Sequence, residues 1–519
     1  DNKEIVEYLS EVKENILDNI DKFFMPEPDS QDINDEEFVA SMKNKSHSRE
    51  LAKYEVNVLV DNSTTTSAPV IFEYSPSRSG LYGELEYENQ FGTLVTDFTK
   101  IRAGAFHKAN GGYLVLQAEN VFKEAATWEL LQKFFATGEV PIVMTRDGNT
   151  GYAISGPNPE PFKVDVKVII IGDTKYYNAL SQLEFDFSQE FKVMVNFDYE
   201  VPVNDKHIKE TIQAVKDFIS CEKIKELDAS AINKILEHSS RLAGSQKKLT
   251  TRHGLLNGIL IKANALATYS DSKNITSDHI RDAIIETEQQ SSMYENKLNE
   301  MIDSGRISVM TDGAVVGQIN GLAIIVSDNY SFGKPTKITA TTYVGETGII
   351  NVEKEAEMSG NIHVKGVEVL AGYIGQTYAQ DFPLAISCRI CFEQNYDGID
   401  GDSASSSELF AILSSLSGVP INQGIACTGS IDQRGMVQSV GGVTMKIEGF
   451  FDLCEKRGLT GKQGVIIPEV DARDLTLNDK VVEAVKTGQF HIYPIRHIDE
   501  GIEILMGRPA GERDRKSVV

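Results

Sequence analysis

Residues 384–418 read LAISCRICFEQNYDGIDGDSASSSELFAILSSLSG, and the fold turns on where their periodicity changes. Leu384, Ile386, Cys388, Ile390 and Phe392 alternate with Ala385, Ser387, Arg389 and Cys391, which predicts a strand with one buried face. Asp397 to Asp402 then forms a glycine- and aspartate-rich turn. From Ser403 the spacing becomes three and four, through Leu409, Ile412, Leu413 and Leu416, and Gly418 with Pro420 closes a helix. Ser403 is thereby expected at a helix N-terminus, where free backbone N–H groups and the helix dipole favour negative charge. Such an end suits the oxyanion of acyl transfer.

Lys446 lies 43 positions beyond Ser403, closing the run Gly441-Gly442-Val443-Thr444-Met445-Lys446. A serine hydroxyl is a poor nucleophile unless a base takes its proton, and a lysine is such a base only when burial strips its charge. A plainer reading stands beside each residue. Asp402 and Ser403 are preferred helix caps, four serines (Ser403, Ser405, Ser406, Ser407) crowd the same turn, and a lysine is ordinarily a solvated charge. Val443, Ile447, Phe450, Phe451 and Cys454 nevertheless put Lys446 at the border of an apolar helix face.

Asp400-Gly401-Asp402-Ser403-Ala404, then Thr428-Gly429, then Gly441 to Lys446 resemble the proteolytic domain of the Lon proteases, over about 200 residues from near Ile307 to Gly507. The resemblance implies a Ser–Lys dyad: Ser403 the nucleophile, Lys446 the general base, Thr428 the hydroxyl that orients the amine. Asp400 matches an acidic position whose role varies within the family. The better-known bacterial form has Pro before the serine and Gly after the alanine. Asp402 and Ser405 stand there in this chain, as in the B-type branch.

Composition agrees without deciding. The 519 residues, 41% of them hydrophobic, predict two to four domains. A net charge of −25 argues against a nucleic-acid surface, and no run of 18 apolar residues predicts a membrane span. Asp1-Asn2-Lys3-Glu4 has neither an initiator Met nor a signal-peptide pattern, as expected of a chain cut from a longer parent. Five cysteines with a single close pair, Cys388 and Cys391, predict reduced, buried thiols in a cytoplasmic protein and no metal site. None of the nine histidines forms a His-Glu-x-x-His zinc motif.

Along the chain, residues 4–24 repeat apolar side chains at helical spacing, residues 25–35 read as a linker, and residues 36–53 as a charged helical insertion. Tyr54–Val60 and Pro69–Glu73 are expected strands. Ala103 to Leu116 resembles the second nucleotide-binding motif of B-type Lon ATPase modules, but Gln117 and Ala118 replace its usual Asp-Glu pair and only Glu119 remains nearby. No Gly-x-x-x-x-Gly-Lys-Ser/Thr loop is present; Gly333-Lys334 is followed by Pro335 and lacks the earlier glycine. Asp173 after the strand Val166–Gly172 stands at the module's sensor position, and Phe185–Phe191 carries no arginine finger. Arg252, at the end of Arg241–Arg252, matches either a nucleotide-sensing arginine of the lid or a surface charge.

The expectation is an α/β and α+β multidomain chain. It comprises a helical segment (1–53), a partial AAA+-like α/β module without a phosphate loop (54–203), a helical AAA+ lid-like domain (204–300), an α+β Lon proteolytic domain (301–507) and a polar tail (508–519). The resemblance implies a serine endopeptidase for unfolded or damaged proteins, acting through an acyl-enzyme, cytoplasmic and homo-hexameric. No cofactor is expected in this chain, with ATP and magnesium entering only if a phosphate loop lies upstream. The other function class is a non-catalytic ring scaffold or holdase that binds unfolded polypeptide without cleaving it.

Overall fold

The computed structural model of the protein describes residues 3–23, 53–90, 93–123, 125–144, 159–183, 187–327, 330–380 and 383–511. The expected linker at 25–35, most of the insertion at 36–53 and most of the polar tail lie outside them. Residues 1–195 and 196–519 are two compact units.

In the first unit, helix α1 (Lys3–Asp18) precedes a parallel sheet, three-stranded among the described residues, of β1 (Val70–Glu73), β2 (Gly112–Gln117) and β3 (Val166–Ile171), with β2 central. Helix α2 (Ala125–Thr137) supplies Trp128, Leu131 and Phe134 to a core with Phe106, Leu114 and Leu116. Strand alternation leaves Val70, Phe72, Tyr113, Ile169 and Ile171 exposed on the opposite face. Residues 54–60, expected as a strand, are not one: they find no ladder partner among the described residues, and Asn57 Nδ2 instead donates to the Phe98 and Ile101 carbonyls.

The second unit opens with β3's successor in the chain, β4 (Glu200–Pro202), which pairs antiparallel with β5 (Lys248–Thr250). Residues 196–203 fall in this second unit, and the expected helical domain 204–300 contains a strand. Around this ribbon stand α3 (Asp205–Glu222), α4 (Ala229–Leu242), α5 (His253–Tyr269), α6 (Ser277–Ser291) and α7 (Met293–Asp303). Asn204 and Asp228 cap α3 and α4 by accepting the His207 and Ala231 N–H groups.

The remaining residues build a mixed sheet, seven-stranded among the described residues. In chain order its strands are β6 (Gln318–Ser327), β7 (Tyr330–Val344), β8 (Gly348–Asn351), β9 (Ile386–Phe392), β10 (Ile425–Cys427), β11 (Gln463–Pro468) and β12 (Phe490–Ile495). Their spatial order is β8-β9-β7-β6-β10-β11-β12, with β7 antiparallel to both neighbours and the β6-to-β12 half parallel. Helices α8 (Asn361–Tyr378), α9 (Ser405–Ser417), α10 (Val443–Arg457), α11 (Asp479–Lys486) and α12 (Ile498–Met506) complete the domain.

The two helices of interest pack on opposite sheet faces. Leu409, Phe410, Ala411 and Ile412 of α9 share a core with Cys427 and Ile466, whereas Val443, Ile447, Phe450, Phe451 and Cys454 of α10 share another with Ala426, Val465 and Ile467. Successive strand residues point to opposite faces, so the sheet runs between the two cores. They can meet only past a strand end, and the end of β10 is where they do.

Candidate active site

Ser403 sits at the end of the turn that follows β9. Gly401 takes φ +94°, open only to glycine at low cost, and Asp400 Oδ1 accepts the N–H groups of Gly401, Ile362 and His363. Asp400 therefore fastens the turn to the start of α8. The Ser403 carbonyl accepts from Gly429 N–H at 2.8 Å, and Ser406 N–H donates to the Gly429 carbonyl at 3.1 Å. The turn is stitched to the strand end at Thr428-Gly429.

The four crowded serines separate cleanly. Ser405 Oγ donates to the Asp402 carbonyl, Ser406 Oγ meets Cys427 Sγ, and Ser407 Oγ donates to the Cys427 carbonyl; all three are buried. Ser403 alone of the four is half-exposed and keeps its hydroxyl for Lys446, whose Nζ lies 3.1 Å from Oγ. The helix starts two residues later than its periodicity indicated, with Ala404 at the cap and no side-chain cap bond, so Asp402 and Ser403 do not cap it. The Ser403 and Ala404 N–H groups donate to no acceptor among the described residues.

Lys446 comes from the first turn of α10, entered through Gly442 at φ +65°, where a Cβ would strike Ile324. Its side chain is 3% exposed and its amine also reaches Thr428 Oγ1 at 3.0 Å; Thr428 in turn donates to the Ser403 carbonyl at 3.3 Å. Burial pulls the Lys446 amine down to about 8, against the smaller opposing pull of Asp471, Cys427 and Asp402. A lysine so placed is half neutral near pH 8 and within reach of a hydroxyl proton.

Residues 66–198 match a family described as LonB-like, AAA domain, residues 226–290 the archaeal LonB AAA+ ATPase lid domain, and residues 396–508 the Lon protease (S16) C-terminal proteolytic domain. A putative Lon protease homolog of Haemophilus influenzae is 33% identical over 409 residues, 78% of this chain and 66% of that one. The chain belongs to the Lon protease family. A putative Lon protease homolog of Escherichia coli is 29% identical over 433 residues (81% and 72%), and an archaeal Lon protease of Thermoplasma volcanium 25% over 468 (86% and 67%). The chain spans about two thirds of the length of these relatives.

Within this Lon-type serine endopeptidase domain, Ser403, Thr428 and Lys446 converge, and Asp400 does not join them: its carboxylate serves backbone N–H groups. Sequence reading missed Asp471, which follows β11 and accepts Val440 N–H at 3.0 Å and the Ser439 hydroxyl just upstream of the Lys446 motif. Nothing in its local sequence marks it, because only the return of β11 beside β10 brings it near. Cys388, Cys427 and Cys454 are buried as expected, whereas Cys221 on α3 is exposed.

The family implies ATP and magnesium in its ATPase module. Strand β2 ends at Gln117, followed by a buried Ala118 packed under Gly172, so the place of the acidic pair holds an amide and a methyl. Arg252 stands at the N-terminal cap position of α5 without a side-chain cap bond, and its guanidinium donates to the Leu242 carbonyl at 3.0 Å. Gly333-Lys334 lies inside β7. Part of the segment expected at the arginine-finger position, residues 185–186, lies outside the described residues. Among the described residues no helix is long and apolar enough to cross a membrane.

Proposed function

We propose that this chain cleaves unfolded or damaged polypeptides through a Ser403–Lys446 dyad. The observation that carries the reading is a lysine amine shut away from water, 3.1 Å from a half-exposed serine hydroxyl and 3.0 Å from the threonine that orients it. Neutral Lys446 takes the Ser403 proton as Oγ attacks the scissile carbonyl. The tetrahedral oxyanion accepts hydrogen bonds from the unengaged Ser403 and Ala404 N–H groups. The lysine ammonium then passes its proton to the leaving amine, giving an ester on Ser403. Water, deprotonated by Lys446, attacks the ester; the carboxylic acid leaves and the hydroxyl is restored.

Resemblance to the family supports assembly as a homo-hexameric ring in the cytoplasm, in a quality-control role. This chain's own module is nucleotide-incompetent unless a phosphate loop is supplied from outside this sequence. The test is cleavage of an unfolded casein-like substrate together with covalent labelling by a fluorophosphonate. Wild-type chain is expected to do both, and Ser403→Ala and Lys446→Ala neither, with folding intact. A folded wild-type chain that binds unfolded polypeptide but neither cleaves nor labels is the scaffold instead.

A further inference from the structure

Helix α10 carries Lys446 on one side and Glu448 on another, about 200° away around the axis at 3.6 residues per turn. Glu448 is 8% exposed and is gripped from the lid. Arg241, in the last turn of α4, places Nη1 2.7 Å from Glu448 Oε1 and Nη2 2.7 Å from Oε2. This is the two-pronged guanidinium–carboxylate geometry that fixes orientation as well as distance. Arg241 Nη1 also donates to the Thr476 carbonyl at 2.7 Å, and Asn478 N–H donates to Glu448 Oε1 at 2.7 Å.

Charges of both signs surround the junction, Lys234, Arg281, Lys456 and Lys480 among them. A cavity of about 1420 Å³ opens between lid and proteolytic domain, lined in part by Arg241, Glu288, Glu295, Tyr330, Asp452 and Glu455. Glu288 comes within 3.9 Å of Arg241. Asp452, one turn beyond Glu448, has its carboxyl pushed up to about 7 by burial and by the nearby Glu448 and Glu295. Removing Arg241 would leave Glu448 buried without its counter-charge, and α10 would have to move to hydrate it.

A second contact path ends at the same place. Ser245 Oγ donates to Asp474 Oδ1 at 2.5 Å and Gln246 donates to the Leu475 carbonyl. Those residues directly follow the turn that contains Asp471, whose carboxylate holds Ser439 and Val440 ahead of Lys446.

We propose that Arg241 of the lid is a positioning residue for Lys446, holding α10 through Glu448 where the amine reaches Ser403. The proposal rests on the dyad reading above. The 3.1 Å separation is near the outer limit for proton transfer, and a displacement of about 1 Å costs on the order of a hundredfold in rate. The lid thus completes the peptidase site without touching substrate.

The test uses the full chain and compares wild type with Arg241→Met, Arg241→Lys, Glu448→Gln, the double variant Arg241→Met/Glu448→Gln, and Lys446→Ala. Peptide kinetics and the rate of fluorophosphonate labelling of Ser403 are followed from pH 6 to 9.5, with circular dichroism to certify folding. Arg241→Met is expected to lower kcat and the labelling rate together by about tenfold with KM within about twofold, and to move the midpoint of the labelling pH profile. Arg241→Lys should fall between it and wild type, and the double variant should be no worse than Arg241→Met. If Arg241→Met does not fold, Arg241→Lys decides. Rates and pH midpoints like wild type in the folded Arg241 variants, or losses that multiply in the double variant, overturn the positioning role while inactive Lys446→Ala leaves the dyad standing. Wild-type activity in Lys446→Ala overturns the dyad and the proposal with it.

Discussion

Gly449 of α10 meets Gly333 of β7 backbone to backbone: a Cβ on Gly449 would lie 2.1 Å from the Gly333 carbonyl oxygen, and one on Gly333 would lie 2.2 Å from the Met445 carbonyl. The helix carrying Lys446 is therefore pressed onto the sheet at a point where no side chain fits. Gly449→Ala should cost about 1–3 kcal/mol in urea unfolding by overpacking and lower kcat by more than tenfold, because α10 must lift away from Ser403. Gly375→Ala, in α8 with nothing within 4 Å of the new methyl, is the control and should be neutral or slightly stabilising. Wild-type kcat in a folded Gly449→Ala protein would contradict the account.

With the Lys446 amine at about 8, its neutral fraction grows about tenfold per pH unit below that value, so kcat/KM should rise from pH 6 and level off above about pH 8. A flat profile, with chemistry rate-limiting, would count against Lys446 as base. Stability runs with the same group. The folded state binds fewer protons than the unfolded chain between about 8 and the ordinary lysine value near 10.5, so the penalty for burying Lys446 is full below about 8 and fades as pH rises. Lys446→Met should accordingly stabilise the fold at pH 7 by about 1–3 kcal/mol, lose that gain towards pH 10, and be inactive. Denaturant unfolding at the two pH values measures it.

Thr428 is buried and its hydroxyl bridges the Lys446 amine and the Ser403 carbonyl. Thr428→Val keeps the shape and removes the hydroxyl; it should lower kcat by about tenfold with KM little changed. Thr428→Ser should recover most of the rate. Equal rates in the valine and serine variants would show that shape alone matters there.

His363 Nε2 lies 3.0 Å from Glu408 Oε1, with the two side chains 1% and 0% exposed, and His363 N–H also holds Asp400. The pair ties α8 to both flanks of the Ser403 turn. Burial opposes charge on His363, yet the bond and charge of Glu408 outweigh it, and the imidazole is held above its ordinary value. Its stabilisation is then complete below about pH 6.5 and declines as pH rises through the elevated value. His363→Ala should cost about 3–5 kcal/mol at pH 6 and less at pH 9, read from urea unfolding at both. A loss independent of pH would mean that the pair is not ionised.

Much of the site was legible in the chain. The switch of period between Phe392 and Leu409 located the strand–turn–helix, and the Ser403, Thr428 and Lys446 motifs marked the three groups that the structure brings together. The readings that failed share a cause. Tyr54–Val60 has strand composition but no neighbouring edge among the described residues, and Lys248–Thr250 sits in a helical run but pairs with Glu200–Pro202. Each depends on a partner far along the chain.

Local spacing marked most of the helices and strands of the proteolytic domain, and the short motifs named Ser403, Thr428 and Lys446 as the candidate groups, because both are written in contacts a few residues apart. Only the tertiary structure decided which of four serines faces the lysine, that Asp400 serves a helix start, and that Asp471 and Arg241 reach the neighbourhood of Lys446. Those outcomes depend on how two helices on opposite faces of a sheet meet beyond the end of one strand, and burial, which pulls the lysine amine down to about 8, exists only once they have met.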